Sequence, residues 1–84
     1  MMTEQVIIAK INEVLAEEFE ADIADITPEA VLMETLELDS LDLVDVVVLI
    51  DNNFGVTLVG PDFVGVKTFQ DFYDLIIRKV NEKG

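Results

Sequence analysis

The feature that most limits what this chain can fold into is the stretch from Asp39 to Asn53, where Asp39-Ser40 precedes an apolar run, Leu41 to Ile50, broken only by Asp42 and Asp45. An Asp ahead of such a run, with more acids in the first turns, is a helix-start pattern. The side-chain oxygen accepts from an orphan amide, and the acids suit the positive end of the helix dipole. The spacing predicts a helix roughly 20 Å long at about 1.5 Å per residue. Val44, Val47 and Ile50, with Leu43, Val46 and Phe54 alongside, form a wide apolar face, while Asp42, Asp45, Asp51 and Asn52 mark the solvated side. Leu41 and Val48 share a face with Asp45 and Asn52, so two readings stand level: burial, or exposure as apolar groups rimmed by polar ones. The valines are weak helix formers, and packing has to hold them.

Helical spacing recurs on both sides. From Thr3 to Phe19, Ile7, Ile11, Val14, Leu15 and Phe19 return at three- and four-residue steps, with Thr3 as N-cap. At the other end, Thr68 with Asp71 three residues on is a capping-box pattern. It opens a helix whose apolar stripe is Phe69, Phe72, Tyr73, Ile76, Ile77 and Val80, and Arg78 and Lys79 complement its C-terminal dipole. Residues 20–38 lack this periodicity. They read as a long connection pinned by Ile23, Ile26, Val31, Leu32 and Leu36, with a single turn starting at Thr27-Pro28-Glu29. Gly55 suits a left-handed helix end, Val56 to Val59 has no second strand to pair with and reads as extended loop, and Gly60-Pro61-Asp62-Phe63-Val64-Gly65 reads as one short helical turn. The expected fold is therefore all-α: a small bundle of three main helices and one short one, with a long loop between the first two, making residues 1–84 a single domain.

Size and charge narrow the function. A chain of 84 residues should bury only about 60% of its unfolded surface, leaving little room for an enclosed catalytic cleft. At 51% hydrophobic residues it is too apolar to be disordered despite a net charge of -13. Eighteen acids against five bases repel nucleic acid and anionic lipid, so protein partners should present basic surfaces. The asymmetry is local as well: no Lys or Arg lies between Ile11 and Val66. The Met-Met-Thr-Glu-Gln start lacks the flank and apolar run of a signal peptide, and no apolar stretch reaches membrane-spanning length, so a cytoplasmic monomer is the expectation.

The chemistry of the central segment centres on Ser40. The chain has neither His nor Cys, and no Lys precedes Ser40 at Ser-Lys spacing, so the hydroxyl has no base partner for nucleophilic catalysis. Asp39, Asp42 and Asp45 do not have the spacing or the glycine of a calcium loop. A hydroxyl at a helix N-terminus is instead a favourable place for a phosphate ester, since amides and the helix dipole converge there.

Leu-Asp-Ser-Leu at positions 38–41, followed by Asp42, Val44, Asp45, Phe54, Gly55 and Val56, resembles the acyl carrier proteins. The likeness runs through Thr27, Leu36, Leu58 and Thr68 to cover nearly the whole chain. The resemblance implies that Ser40 receives 4'-phosphopantetheine from a phosphopantetheinyl transferase and that the arm's thiol carries acyl groups as thioesters, which accounts for the missing cysteine. It implies that Asp39 and Leu41 serve transferase recognition, and that the chain is a substrate of partner enzymes and not itself a catalyst. A docking surface for basic patches of acyl-processing enzymes is expected at Leu41, Asp42, Asp45, Val48, Asp51, Asn52 and Asp62. An acyl pocket is expected among Leu43, Val44, Val47, Ile50, Leu58, Phe63 and Val66, with Phe63, in place of a smaller residue, narrowing it.

Three departures stand out. Glu37 replaces a common glycine, so a different turn into the central helix is expected. Asp51-Asn52-Asn53 replaces a more acidic run, and Asp62 is the lone acid of the short helix. This thinning of charge points to a carrier dedicated to a specialised pathway. Carriage of amino acids or aryl starters for a synthetase is the alternative, and a non-carrier interaction or metal-binding module is a third.

Overall fold

The computed structural model describes residues 3–83; Met1-Met2, part of the N-terminal reading above, lies outside them. The described chain is all-α with three long helices: α1 (Glu4–Glu18), a short α2 (Leu32–Thr35), α3 (Asp42–Phe54) and α4 (Phe69–Lys83). Two 3-10 turns, Ile23–Asp25 and Gly60–Phe63, punctuate the connections. Among the described residues no strand forms, and the one isolated antiparallel bridge joins Val31 to Thr68.

The termini of α1 and α4 follow the sequence signals. Thr3 Oγ1 accepts from the Val6 amide at 3.2 Å. At α4 the box is reciprocal: Thr68 Oγ1 accepts from the Asp71 amide at 3.3 Å, and Asp71 Oδ2 accepts from the Thr68 and Lys67 amides, both at 3.1 Å. These bonds favour the ionised carboxylate and hold the Asp71 carboxyl below its ordinary range.

One core unites the elements. Ile7, Ile11 and Leu15 of α1 meet Val46 and Ile50 of α3 and Phe69, Phe72, Tyr73, Leu75 and Ile76 of α4, with Ile26, Leu32, Leu36, Val56 and Leu58 from the connections. Each such side chain contributes about 1.5–3 kcal/mol on full burial. Tyr73 also gives its hydroxyl proton to Asn12 Oδ1, tying α4 to α1. Leu75 falls outside the predicted stripe, yet it is buried and belongs to the core.

The long connection lies on the body instead of looping free. The Leu32 amide donates to the Lys67 carbonyl at 2.9 Å, the Phe69 amide to Ala30 at 3.1 Å and the Gln70 amide to Pro28 at 3.0 Å. Backbone groups removed from water thereby find partners. Ile26, Leu32 and Leu36 anchor it as expected. Ile23 and Val31 do not: they are 54% and 38% exposed, because Ile23 opens a solvent-facing 3-10 turn and Val31 is held through its backbone bridge. The turn expected at Thr27-Pro28-Glu29 closes through the Ala30 amide on the Thr27 carbonyl at 3.1 Å. Helix α2 was not foreseen, because four residues are too few to show a period.

Candidate functional site

The approach to Ser40 is set by the end of α2. The Glu37 amide bonds the Glu34 carbonyl at 3.3 Å and the Leu38 amide reaches Met33 at 2.9 Å. That is the paired pattern of a Schellman end, with Glu37 left-handed at φ 53°. The turn thus keeps the conformation that glycine favours, carried here by a residue with a side chain, so the expectation of a different turn at Glu37 has no support in the backbone.

Regular helix starts at Asp42, three residues later than the sequence reading, because the residues from Asp39 wind more tightly. The Asp42 amide bonds the Asp39 carbonyl at 3.1 Å, and the Val44 amide bonds Leu41 at 3.2 Å. Asp39 is nonetheless the cap. Its Oδ1 accepts from the amides of Leu41 at 2.9 Å and Asp42 at 3.1 Å, and Asp42 Oδ2 returns to the Asp39 amide at 3.1 Å. Two aspartates therefore close a reciprocal box around Ser40, which is exposed and has no hydrogen bond to any described residue. This revises the expectation that first-turn amides await a phosphate: Asp39 already holds two of them. What remains for an ester on Ser40 is the helix dipole and access to solvent.

Leu41 is 78% exposed and Val48 52%, resolving the two readings in favour of the surface. Val44, expected on the inner face, is 61% exposed. The inward direction is set by Val46 and Ile50, and Val44, two residues from Val46, points about 200° away from it. Leu41, Val44 and Val48 consequently form one outward apolar stripe, bordered by exposed Asp45, Asp51 and Asn52. Asp42 is partly occupied by its box. Asp62, the remaining residue of the expected docking set, turns inward: its Oδ2 accepts from the Val59 amide at 2.9 Å and lies 3.6 Å from Lys79 Nζ, with 14% of its side chain exposed.

A cleft of about 250 Å³ opens beside Ser40, lined by Leu43, Val44, Val47, Gly60 and Phe63. Four of the seven expected pocket residues meet there. Ile50 and Leu58 do not, being fully packed in the core, and Val66 is half-buried beside Gly65 and Leu75. The Phe63 ring stacks on Phe72, centroids 6.3 Å apart and planes at 20°, and so stands between the cleft and the core. Gly60 escaped the sequence reading, since a glycine before Pro61 is explained equally well by a turn. A larger groove of about 510 Å³ lies between α1 and α4, lined by Glu4, Ile8, Gln70, Asp74, Ile77 and Arg78 among others, and it does not include Ser40. Among the described residues, no group of three or more carboxylates is placed to hold a metal ion.

The exposed hydroxyl and the adjoining apolar cleft suit a phosphodiester on Ser40 and an arm that carries an acyl chain. Known proteins point the same way. The family model described as phosphopantetheine attachment site matches residues 9–76. An acyl carrier protein of Thermosynechococcus vestitus is 33% identical, over 94% of this chain and 98% of its own. Acyl carrier protein 2 of Ralstonia nicotianae is 39% identical, over 83% and 86%. The crystal structure of an acyl carrier protein from Thermotoga maritima superposes with a TM-score of 0.77 at 25% identity, covering 96% of this chain and 94% of that one. With the family model spanning most of its length and relatives alike from end to end, this chain belongs to the acyl carrier protein family, carrying acyl groups on a phosphopantetheine prosthetic group.

Proposed function

We propose that Ser40 is the attachment residue and that the chain, acting as a single domain and a monomer, presents its arm to a succession of acyl-processing enzymes as their substrate. The observation that carries this reading is the free Ser40 hydroxyl, set in the Asp39–Asp42 box at the mouth of an apolar cleft. In attachment, Ser40 Oγ forms a bond to the phosphorus of coenzyme A that bears the pantetheine. The bond to the departing adenosine bisphosphate breaks, and the Ser40 proton passes to a base of the transferase, since this chain has no histidine to take it. When bound, the group supplies a terminal thiol for thioester linkage.

Asp39 and Leu41 serve the transferase, Asp39 by fixing the turn and Leu41 by offering an apolar contact. Partner enzymes dock on the stripe of Leu41, Val44 and Val48, with basic groups meeting Asp45 and Asp51. Charge steers the encounter, and the small apolar contact lets the complex part. The internal engagement of Asp62 further thins the docking charge, in keeping with a carrier for a specialised pathway. A similar named relative is polyketide-8 synthase acyl carrier protein 2 of Streptomyces avermitilis, 27% identical over 87% of this chain.

The test is incubation with a broad-specificity phosphopantetheinyl transferase and coenzyme A, read by intact mass. A gain of one phosphopantetheine, lost in Ser40→Ala, is expected. An unchanged mass, or a gain that survives the substitution, would refute the reading.

A further inference from the structure

The groove between α1 and α4, about 510 Å³, shares no lining residue with the cleft beside Ser40 or with the α3 stripe. Its floor is apolar. Ile8 and Ile77 pack against the core on one side, stay only partly buried, and line the groove on the other. Ile77 belongs to the α4 stripe expected to be covered, so the fold leaves one edge of that stripe open. The rim is exposed and charged, with Glu4, Asp74 and Glu82 against a single cation, Arg78. None of the four forms an ion pair with a described residue; Asp74 Oδ1 accepts instead from Gln70 Nε2 at 3.0 Å. On α4 the lining runs from Gln70 to Glu82, a length of about 18 Å, or about three helical turns.

An open apolar floor between acidic rims on two helices is the complement of an amphipathic helix with an aliphatic stripe and Lys or Arg on its flanks. Charge selects among occupants. A second copy of this chain, or an anionic lipid surface, brings more negative charge to a protein that already carries -13, and is repelled. A cationic helix gains steering and finds complementary rims. We propose that the α1–α4 groove is a second docking face, which takes a cationic amphipathic helix of a partner protein and holds the carrier there while Ser40 and the α3 stripe remain free. The inference goes beyond attachment at Ser40 and does not depend on it.

The experiment titrates the full, unmodified, isotope-labelled chain with a synthetic peptide of about fifteen residues, long enough to form a helix. The peptide carries Leu at three- and four-residue steps, flanked by Lys. Backbone amide shifts around Ile8 and Ile77 should move saturably, with a Kd below about 1 mM. Binding should weaken by about tenfold in Asp74→Lys with Glu82→Lys, and by less than about twofold, read at the same amides, in Asp45→Lys with Asp51→Lys on α3. Both pairs change the net charge equally, so only position differs. A peptide of the same composition with its Leu residues scattered around the helix should bind more weakly. No shift at the groove, equal binding by the scattered peptide, or equal weakening in the two variants overturns the proposal. So does a dimer of the chain alone, seen by sedimentation and abolished by Asp74→Lys with Glu82→Lys, since the face would then join copies. Should the reversed pair not fold, Asp74→Asn with Glu82→Gln decides against Asp45→Asn with Asp51→Asn, with an expected loss of about threefold. Mass gain with transferase and coenzyme A should keep its rate at saturating peptide. A loss of rate that follows groove occupancy in the parent and is absent in the groove variant overturns the independence of the two faces. A chain that gains no mass even without peptide would sink attachment at Ser40 and leave the titration standing, so the two failures are distinct.

Discussion

Removing the Asp39 carboxylate probes the turn around Ser40, the residue proposed for attachment. Asp39→Ala deletes an acceptor for two amides, at 2.9 and 3.1 Å, at the start of α3. Loss of an N-cap aspartate costs about 1 kcal/mol, and loss of its charge at a helix start adds about 0.5 kcal/mol. The total of about 1.5 kcal/mol corresponds to a fall in Tm of about 6–12 °C for a domain of this size. Asp39→Asn keeps a side-chain oxygen in place and gives up the charge alone, so it should cost about 0.5 kcal/mol. Urea unfolding of the unmodified protein, followed by far-UV circular dichroism, measures both. The rate of mass gain with transferase and coenzyme A then separates fold from recognition. If the carboxylate only shapes the turn, Asp39→Asn is modified at nearly the parent rate; if the transferase reads the charge, the rate falls although stability hardly moves. A stability loss below about 0.3 kcal/mol in Asp39→Ala, or an Asn variant as unstable as the Ala variant, would refute the capping argument.

Further outcomes follow from the same geometry. Glu37→Gly should stabilise by about 0.5 kcal/mol, because relief of the left-handed strain, about 1 kcal/mol, exceeds the added freedom of the unfolded chain; a lower urea midpoint would contradict this. Asp71 has its folded-state carboxyl below the ordinary value, so its contribution is full above the unfolded pKa and is lost as pH falls through the depressed one. Asp71→Asn should therefore flatten the acid limb of a stability-pH curve while leaving neutral-pH cooperativity intact. Tyr73→Phe removes the hydrogen bond to Asn12 and should cost about 1 kcal/mol by urea denaturation, with no change in the rate of Ser40 modification.

The fold was legible where periodicity was long and caps were explicit. Thr3, Thr68 with Asp71, and Gly55 each marked a helix end that the coordinates place within a residue of the expectation. Helix α2 and the exposure of Ile23 were not legible, because short segments carry no period and side-chain hydropathy says nothing about a residue held by its backbone alone. The candidate site divides in the same way. Ser40 and its box could be read from neighbouring residues, since a cap is a local interaction. Val44 could not be placed on the surface, because the rotation of α3 depends on which side chains the other helices accept.

The sequence by itself determined the helical class, the central hydroxyl with its acidic flanks, and the absence of any cysteine, which the family resemblance accounts for by a thiol brought on the prosthetic group. Only the tertiary structure decided that Asp62 turns inward to Lys79, that Ile50 and Leu58 are buried in the core and do not line the cleft, and that Gly60 faces open space beside Ser40. The physical reason is range. Caps and periods act over a few residues along the chain, whereas a cleft is made by side chains from separate segments whose distance apart is fixed only once the core has packed.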